Sequence, residues 1–210
     1  MKKIAVVGFG GMGEWHVNHI QNNLPELELA GVYDIRPERL EVAKGRGIRA
    51  YQSLDELLTD QTVDLVTVAT PNNFHKPLSI ACLKAGKNVV SEKPVMMNAA
   101  ELEEVMAVAK EADRVFTVHQ NRRWDADFVT VKEILSSGVI GKPYMIESRV
   151  QGSRRVLCGW RGYKVDGGGM LLDWGVHILD QMMNLTDSPV VEVTSHLFKL
   201  MPGVEVDDNM

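Results

Sequence analysis

Three stretches of this sequence hold residues that could do chemistry. In Ser91-Glu92-Lys93-Pro94, a lysine stands between a carboxylate and a proline. Its ammonium could steady negative charge developing on a substrate oxygen, although a lone loop lysine is also simply solvated. In GGGMLLDWGVH (167–177), a helix is predicted from about Met170 to Leu185, with Asp173, His177 and Gln181 at four-residue steps on one face. A carboxylate one turn from an imidazole can orient it, and a histidine with an ordinary pKa of ~6.5 accepts protons near neutrality. A surface Asp–His pair with no role fits the spacing equally well. In IAVVGFGGMG (4–13), Gly8, Gly10 and Gly13 have the GxGxxG spacing.

That third pattern gains force from its surroundings. It follows a β-branched run and opens a helix, as a dinucleotide fingerprint requires. The first glycine permits a tight turn, the second lets backbone approach phosphate, and the third lets helix and strand pack closely. The helix start offers free N–H groups and partial positive charge to a pyrophosphate. Asp34 closes the second strand 21 residues after Gly13, near the ~20 expected of a carboxylate on ribose hydroxyls. A carboxylate there disfavours a 2′-phosphate and favours NAD. Arg36, two residues on, is placed to soften that preference towards NADP. The loop ATPNNFH (69–75) follows a later strand, and its plainest reading is a proline-initiated helix start capped by Asn72 or Asn73.

The elements that must position these groups alternate. Strands are predicted at 3–7, 27–33, 63–69, 88–91 and 115–119, and helices at 14–22, 37–45, 54–58, 75–84 and 99–112. Such alternation implies an α/β fold with a doubly wound parallel sheet, whose ligands bind beyond the carboxyl ends of the strands. After residue 121 the pattern changes. A helix is expected at 128–135, a turn at 138–143, strands at 144–150 and 190–200, and the helix bearing Asp173 and His177 between them. The division is thus a dinucleotide-binding Rossmann domain at 1–121 and a second α+β domain with an open mixed sheet at 122–210.

Composition narrows the class. Of 210 residues 45% are hydrophobic and 24% charged, ordinary for a globular protein, and the net charge of −5 argues against nucleic acid or an anionic membrane as partner. The apolar run after MKK is broken by glycine too soon for a signal peptide and reads as the first strand. No stretch approaches the ~18 apolar residues of a membrane span. Cys82 and Cys158 are far apart and have no metal-type spacing, so both are expected as reduced thiols of a cytoplasmic protein.

Taken together, GFGGMG, Asp34, ATPNNFH, SEKP, NRRWD (121–125) and GGGMLLDWGVHILD (167–180) resemble the Gfo/Idh/MocA family of NAD(P)-dependent oxidoreductases, in the family's order along nearly the whole chain. QNRRWDADF looks like the subgroup near the inositol dehydrogenases. The resemblance implies hydride transfer between NAD, or alternatively NADP, and a hydroxyl or carbonyl of a sugar or cyclic polyol. It implies that Lys93 hydrogen-bonds the reacting oxygen, with a cis Lys93–Pro94 bond, that His177 exchanges the proton, and that Asp173 assists His177 or grips a neighbouring hydroxyl. Gly8, Gly10, Gly11, Met12, Gly13, Asp34, Arg36 and Thr70 would hold the cofactor. Asn72 and His75 would lie beside its ribose and Glu92 near the nicotinamide. Arg122, Trp124, Trp160, Arg161 and Tyr163 would form the substrate wall.

Family members are substantially longer than this chain, so the second domain is expected to be truncated, and the full-length form to be a homodimer or homotetramer. Two other functions share the cofactor site. An NAD-dependent glycoside hydrolase of this fold would oxidise and re-reduce a sugar carbon without net redox, and a non-catalytic NAD-binding protein would need neither Lys93 nor His177.

Overall fold

The strand β1 (Lys2–Val7) shows why the sheet forms. Its Ala5 and Val7 belong to one buried apolar cluster and its Ile4 and Val6 to another, so both faces of the strand are covered. The computed structural model describes residues 1–151, 157 and 159–210. Cys158 therefore lies outside the described residues. Cys82 is buried and free, and burial pushes its thiol up to about 12.

The chain continues through α1 (Gly11–Asn23), β2 (Leu27–Tyr33), α2 (Pro37–Gly45), α3 (Leu54–Thr59), β3 (Leu65–Val68), α4 (His75–Lys84), β4 (Asn88–Glu92), α5 (Ala99–Glu111) and β5 (Phe116–His119). All four strand pairs are parallel, in the order β2-β1-β3-β4-β5. The order reverses at β1, so the turns after β1 and β3 flank the crevice where an open α/β sheet takes its ligand. One apolar cluster gathers Val66, Val68, Leu83, Val89 and Val105, and the other gathers Val6, Phe9, Val17, Ile20 and Val32.

Local chemistry sets the helix ends. The Ser53 hydroxyl accepts the Glu56 amide at 3.0 Å and starts α3, and Asn98 accepts the Glu101 amide at 2.9 Å and starts α5. Helix α1 begins three residues before its predicted start, inside the glycine loop itself, and no side chain caps it.

The chain divides into two compact units, Met1–His119 and Gln120–Met210. The second contains a short 3₁₀ turn (Asn121–Trp124), α6 (Ala126–Ser137), another 3₁₀ turn (Gly159–Gly162), a π-helical turn (Leu171–Gly175) and α7 (Val176–Asn184). Here the structure departs from the sequence reading. Residues 144–150 and 190–200 were expected as strands, yet no ladder forms among the described residues, and only an isolated antiparallel bridge joins Phe198 to Asn209. Their β-branched and aromatic composition suits a pleated surface, but a strand exists only against a partner. Tyr144 is accordingly 99% exposed and Val191 92% exposed.

The single helix predicted over 170–185 is also two pieces. The Val176 amide donates to the Leu171 carbonyl, five residues back, which widens the first turn. Asp207 holds the entry, its carboxylate accepting the Leu171 amide at 2.8 Å and its carbonyl the Met170 amide at 2.9 Å. No described helix is long and apolar enough to cross a membrane.

Candidate active site

The glycines divide by what a side chain would strike. Gly8 has φ +92°, and a Cβ there would lie 2.4 Å from the Ala69 carbonyl oxygen. A Cβ on Gly13 would lie 1.9 Å from the Gly8 carbonyl oxygen. Both positions are closed by backbone, which is how the third glycine lets α1 sit against β1. Gly10 and Gly11 are different. A Cβ on Gly10 would meet nothing nearer than the Arg36 guanidinium at 3.8 Å, and one on Gly11 nothing within 4 Å. Open space therefore lies over the uncapped start of α1, where the amides of Gly11, Met12 and Gly13 have no partner within the helix. That arrangement fits the pyrophosphate of a dinucleotide.

Asp34, at the end of β2, is buried and serves this loop directly. One carboxylate oxygen accepts the Phe9 amide at 2.8 Å, and the other accepts the Arg36 amide at 2.9 Å and the Arg36 Nε at 3.2 Å. Arg36 is thus tied to Asp34 at the mouth of the crevice. Arg39 had no place in the sequence reading. Its Nε donates to the Phe9 carbonyl at 2.6 Å, its guanidinium lies over the Phe9 ring, and it pairs with Glu14.

Two turns follow at the same carboxyl edge of the sheet. After β3, Thr70 is half-buried, Asn72 is buried in a 3₁₀ turn, and α4 starts at His75. His75 is fully buried, its Nδ1 lying 2.8 Å from the Pro94 carbonyl and its Nε2 3.1 Å from the Thr70 carbonyl. Burial pushes its pKa below the usual histidine value. His75 therefore braces one turn against the other. The Lys93–Pro94 bond is cis, as expected. Replacing His75 with alanine removes the ring N–H donated to one of these two carbonyls and opens a void, so it is expected to destabilise the N-terminal unit by about 3 kcal/mol. Urea unfolding of H75A measures this, and a loss below about 1 kcal/mol would refute the brace.

Glu92 is equally committed. Its Oε1 accepts from His16 Nε2 at 2.7 Å and His119 Nδ1 at 2.9 Å, and its Oε2 accepts the Lys93 amide at 3.2 Å. Burial alone would raise its pKa, but the hydrogen bonds and positive character of His119 and His16 hold it down to about 2. Neither histidine was legible as a partner, since they stand 76 and 27 residues away.

Within the second unit, the residues named as substrate wall form two groups. The Arg122 guanidinium lies over the Trp174 ring at 4.3 Å and pairs with Asp125 at 2.9 Å. Trp174 in turn meets the His177 ring edge-on, with centroids 6.2 Å apart. Arg161 lies over Trp160 and reaches the Asp173 carboxylate at 3.3 Å. Trp124 and Tyr163 are exposed. The π-helical turn carries Asp173, whereas buried His177 and half-buried Gln181 lie in α7. Gln181 donates to the Arg122 carbonyl at 2.8 Å and Gln120 to the Val176 carbonyl at 3.0 Å, so the 121–124 turn is fastened along α7.

Comparison with known proteins agrees with this architecture. Residues 2–120 match the oxidoreductase family with an NAD-binding Rossmann fold, and residues 128–210 match the GFO/IDH/MocA C-terminal domain. A crystal structure of an NAD-binding protein from Listeria innocua superposes with a TM-score of 0.94 at 46% identity, over 99% of this chain and 61% of that one. The myo-inositol 2-dehydrogenase of Thermotoga maritima is 33% identical over 91% of this chain and 57% of its own length. The scyllo-inositol 2-dehydrogenase (NADP(+)) IolW of Bacillus subtilis is 30% identical over 98% of this chain and 57% of its own. The chain therefore spans less than two thirds of the length of the relatives it matches. The glycine cradle, the strand-end carboxylate and both domain matches together establish that this chain belongs to the Gfo/Idh/MocA oxidoreductase family, with an NAD-binding Rossmann fold.

Proposed function

We propose that this chain carries the cofactor-binding part, and a share of the substrate-binding part, of a dehydrogenase acting on a CH–OH group of a sugar or cyclic polyol. The observation that supports it most is at the carboxyl edge of one parallel sheet, where an open glycine cradle accompanies a lysine turn braced by Glu92 and His75. NAD(P), when bound, accepts the hydride from the alcohol carbon in the oxidising direction. The amides of Gly11, Met12 and Gly13 receive the pyrophosphate, with Thr70 and Asn72 alongside. The Asp34 carboxylate accepts from the ribose hydroxyls, which favours NAD, and Arg36 is the group that would meet a 2′-phosphate.

Lys93 hydrogen-bonds the substrate hydroxyl and offsets the negative charge that develops as the proton leaves. His177 takes that proton. Asp173, held by Arg161, steadies a neighbouring hydroxyl or the imidazole, and Arg122, Trp124, Trp160 and Tyr163 shape the substrate wall. The inositol dehydrogenases among the relatives support a cyclic polyol as substrate class. The test is a panel of inositols, aldoses and uronates offered to this chain with NAD and with NADP. A lasting NADH or NADPH absorbance with one of them is the expected result. Sugar release from glycosides added to the panel, without lasting absorbance, would assign the hydrolase chemistry instead, and cofactor binding with no turnover across the panel would assign a binding role.

A further inference from the structure

His16 and His119, which meet at Glu92, have donor chemistry that the dehydrogenase reading does not use. We infer that this cluster is a binding site for a divalent transition metal of zinc's preference. Its convergence follows from the fold. Glu92 and His119 are register partners at the ends of the parallel strands β4 and β5, so their side chains leave the same face of the sheet side by side. His16 belongs to the face of α1 that packs on that sheet, together with Gly13, Val17 and Ile20. One ligand atom from each residue lies within 4.8 Å of the other two, and Glu92 Oε1 itself lies 2.7 Å from His16 Nε2 and 2.9 Å from His119 Nδ1.

Two imidazole nitrogens and one carboxylate oxygen form a donor set for zinc, nickel or copper, and a poor one for magnesium or calcium, which want oxygen. The three ligands come from three different elements of the rigid first unit, so little ordering remains to be done when an ion arrives. Glu92 is ionised at neutral pH and supplies charge compensation. Three protein donors leave one of four tetrahedral positions for water. His16 and Glu92 are buried, while the His119 side chain is 24% exposed and gives the ion an approach from solvent.

In the hydrogen-bonded form each histidine presents an N–H to Glu92. On capture of the ion the ligating nitrogens give up those hydrogens and present lone pairs to the metal. Because the Glu92 Oε2 accepts the Lys93 amide, the ion also touches the lysine turn through a single carboxylate.

Trp15 gives a local reporter, its ring lying 5.3 Å from the His16 ring and 5.4 Å from the His119 ring. The experiment titrates the chelator-stripped chain with Zn²⁺ alone by calorimetry, and with Ni²⁺ alone while following tryptophan emission. One saturable equivalent of Zn²⁺ is expected in the native chain and in H19Q, whose histidine stacks on Trp15 outside the cluster. H16Q, H119Q and E92Q should each bind at least about tenfold more weakly, with folding checked by circular dichroism. Ni²⁺ should quench emission in the native chain and lose that component in W15F, a readout that does not depend on the ligand variants folding. No saturable equivalent, an equivalent that survives H16Q and H119Q, or quenching unchanged in W15F would overturn the assignment. None of these measurements involves turnover, so they stand apart from the dehydrogenase proposal.

Discussion

Replacing Lys93 with alanine is expected to lower kcat roughly 10²–10³-fold, the loss typical of removing one group that stabilises developing oxyanion charge. NADH affinity should stay close to that of the native chain. The backbone of the turn that carries Lys93 is held by its neighbours. Glu92 accepts the Lys93 amide, and His75 meets the Pro94 carbonyl. Truncation at Cβ therefore removes charge and leaves the turn in place. His177→Asn should lower kcat by roughly 10²–10⁴-fold, as expected when a general base is lost. His177 is assigned to the substrate proton and not to holding the cofactor, so cofactor affinity should again be spared. Steady-state rates on the substrate found in the panel, beside NADH binding by fluorescence, separate the two effects. Parallel losses of NADH binding in both variants would show that these residues hold the cofactor rather than serve the chemistry.

The first unit was legible because its signals are local and mutually consistent. Short apolar runs, capping residues such as Ser53 and Asn98, and glycines at helix ends each act within a few residues, and all agree with one alternating fold. The expected glycine fingerprint and strand-end Asp34 fall at the switch point of the sheet. What sequence could not supply was partnership at long range. The family resemblance implied a place near nicotinamide for Glu92, and nothing nearby announced that His16 and His119 take one of its oxygens. The same holds for His75, expected beside ribose, whose ring nitrogens both face backbone carbonyls.

The second unit shows the opposite limit. Periodicity found α6 and α7, since a helix satisfies its own hydrogen bonds. It placed strands at 144–150 and 190–200 that do not form among the described residues, because a strand depends on a neighbour that local composition does not specify. The π-helical turn was missed for a related reason. It depends on Asp207 holding the helix entry and on Gly175, where a Cβ would lie 2.8 Å from Leu171. The glycine triplet before it was the visible clue.

The two outer glycines of the fingerprint's last turn should fail in opposite ways. Gly13→Ala places a methyl 1.9 Å from the Gly8 carbonyl oxygen, a backbone atom fixed between β1 and α1. Overpacking against backbone should outweigh the ~1 kcal/mol that alanine gains over glycine inside a helix, for a net loss of about 3 kcal/mol. For a chain of this size that lowers Tm by roughly 6–12 °C. Gly10→Ala meets no such wall. Gly10 has φ −86° and ψ −161°, which alanine adopts freely, and its nearest neighbour would be the flexible end of Arg36 at 3.8 Å. Its stability should change by only a few tenths of a kcal/mol, about the difference between glycine and alanine at a helix N-cap. The methyl instead occupies the space through which pyrophosphate reaches the start of α1, so NADH affinity should fall at least about tenfold, or ~1.4 kcal/mol. Thermal unfolding and NADH titration of the two variants together read this out. If G10A bound NADH like the native chain while G13A kept its Tm, the open end of α1 would not be the phosphate site, because the contrast between a closed and an open glycine is what places it there.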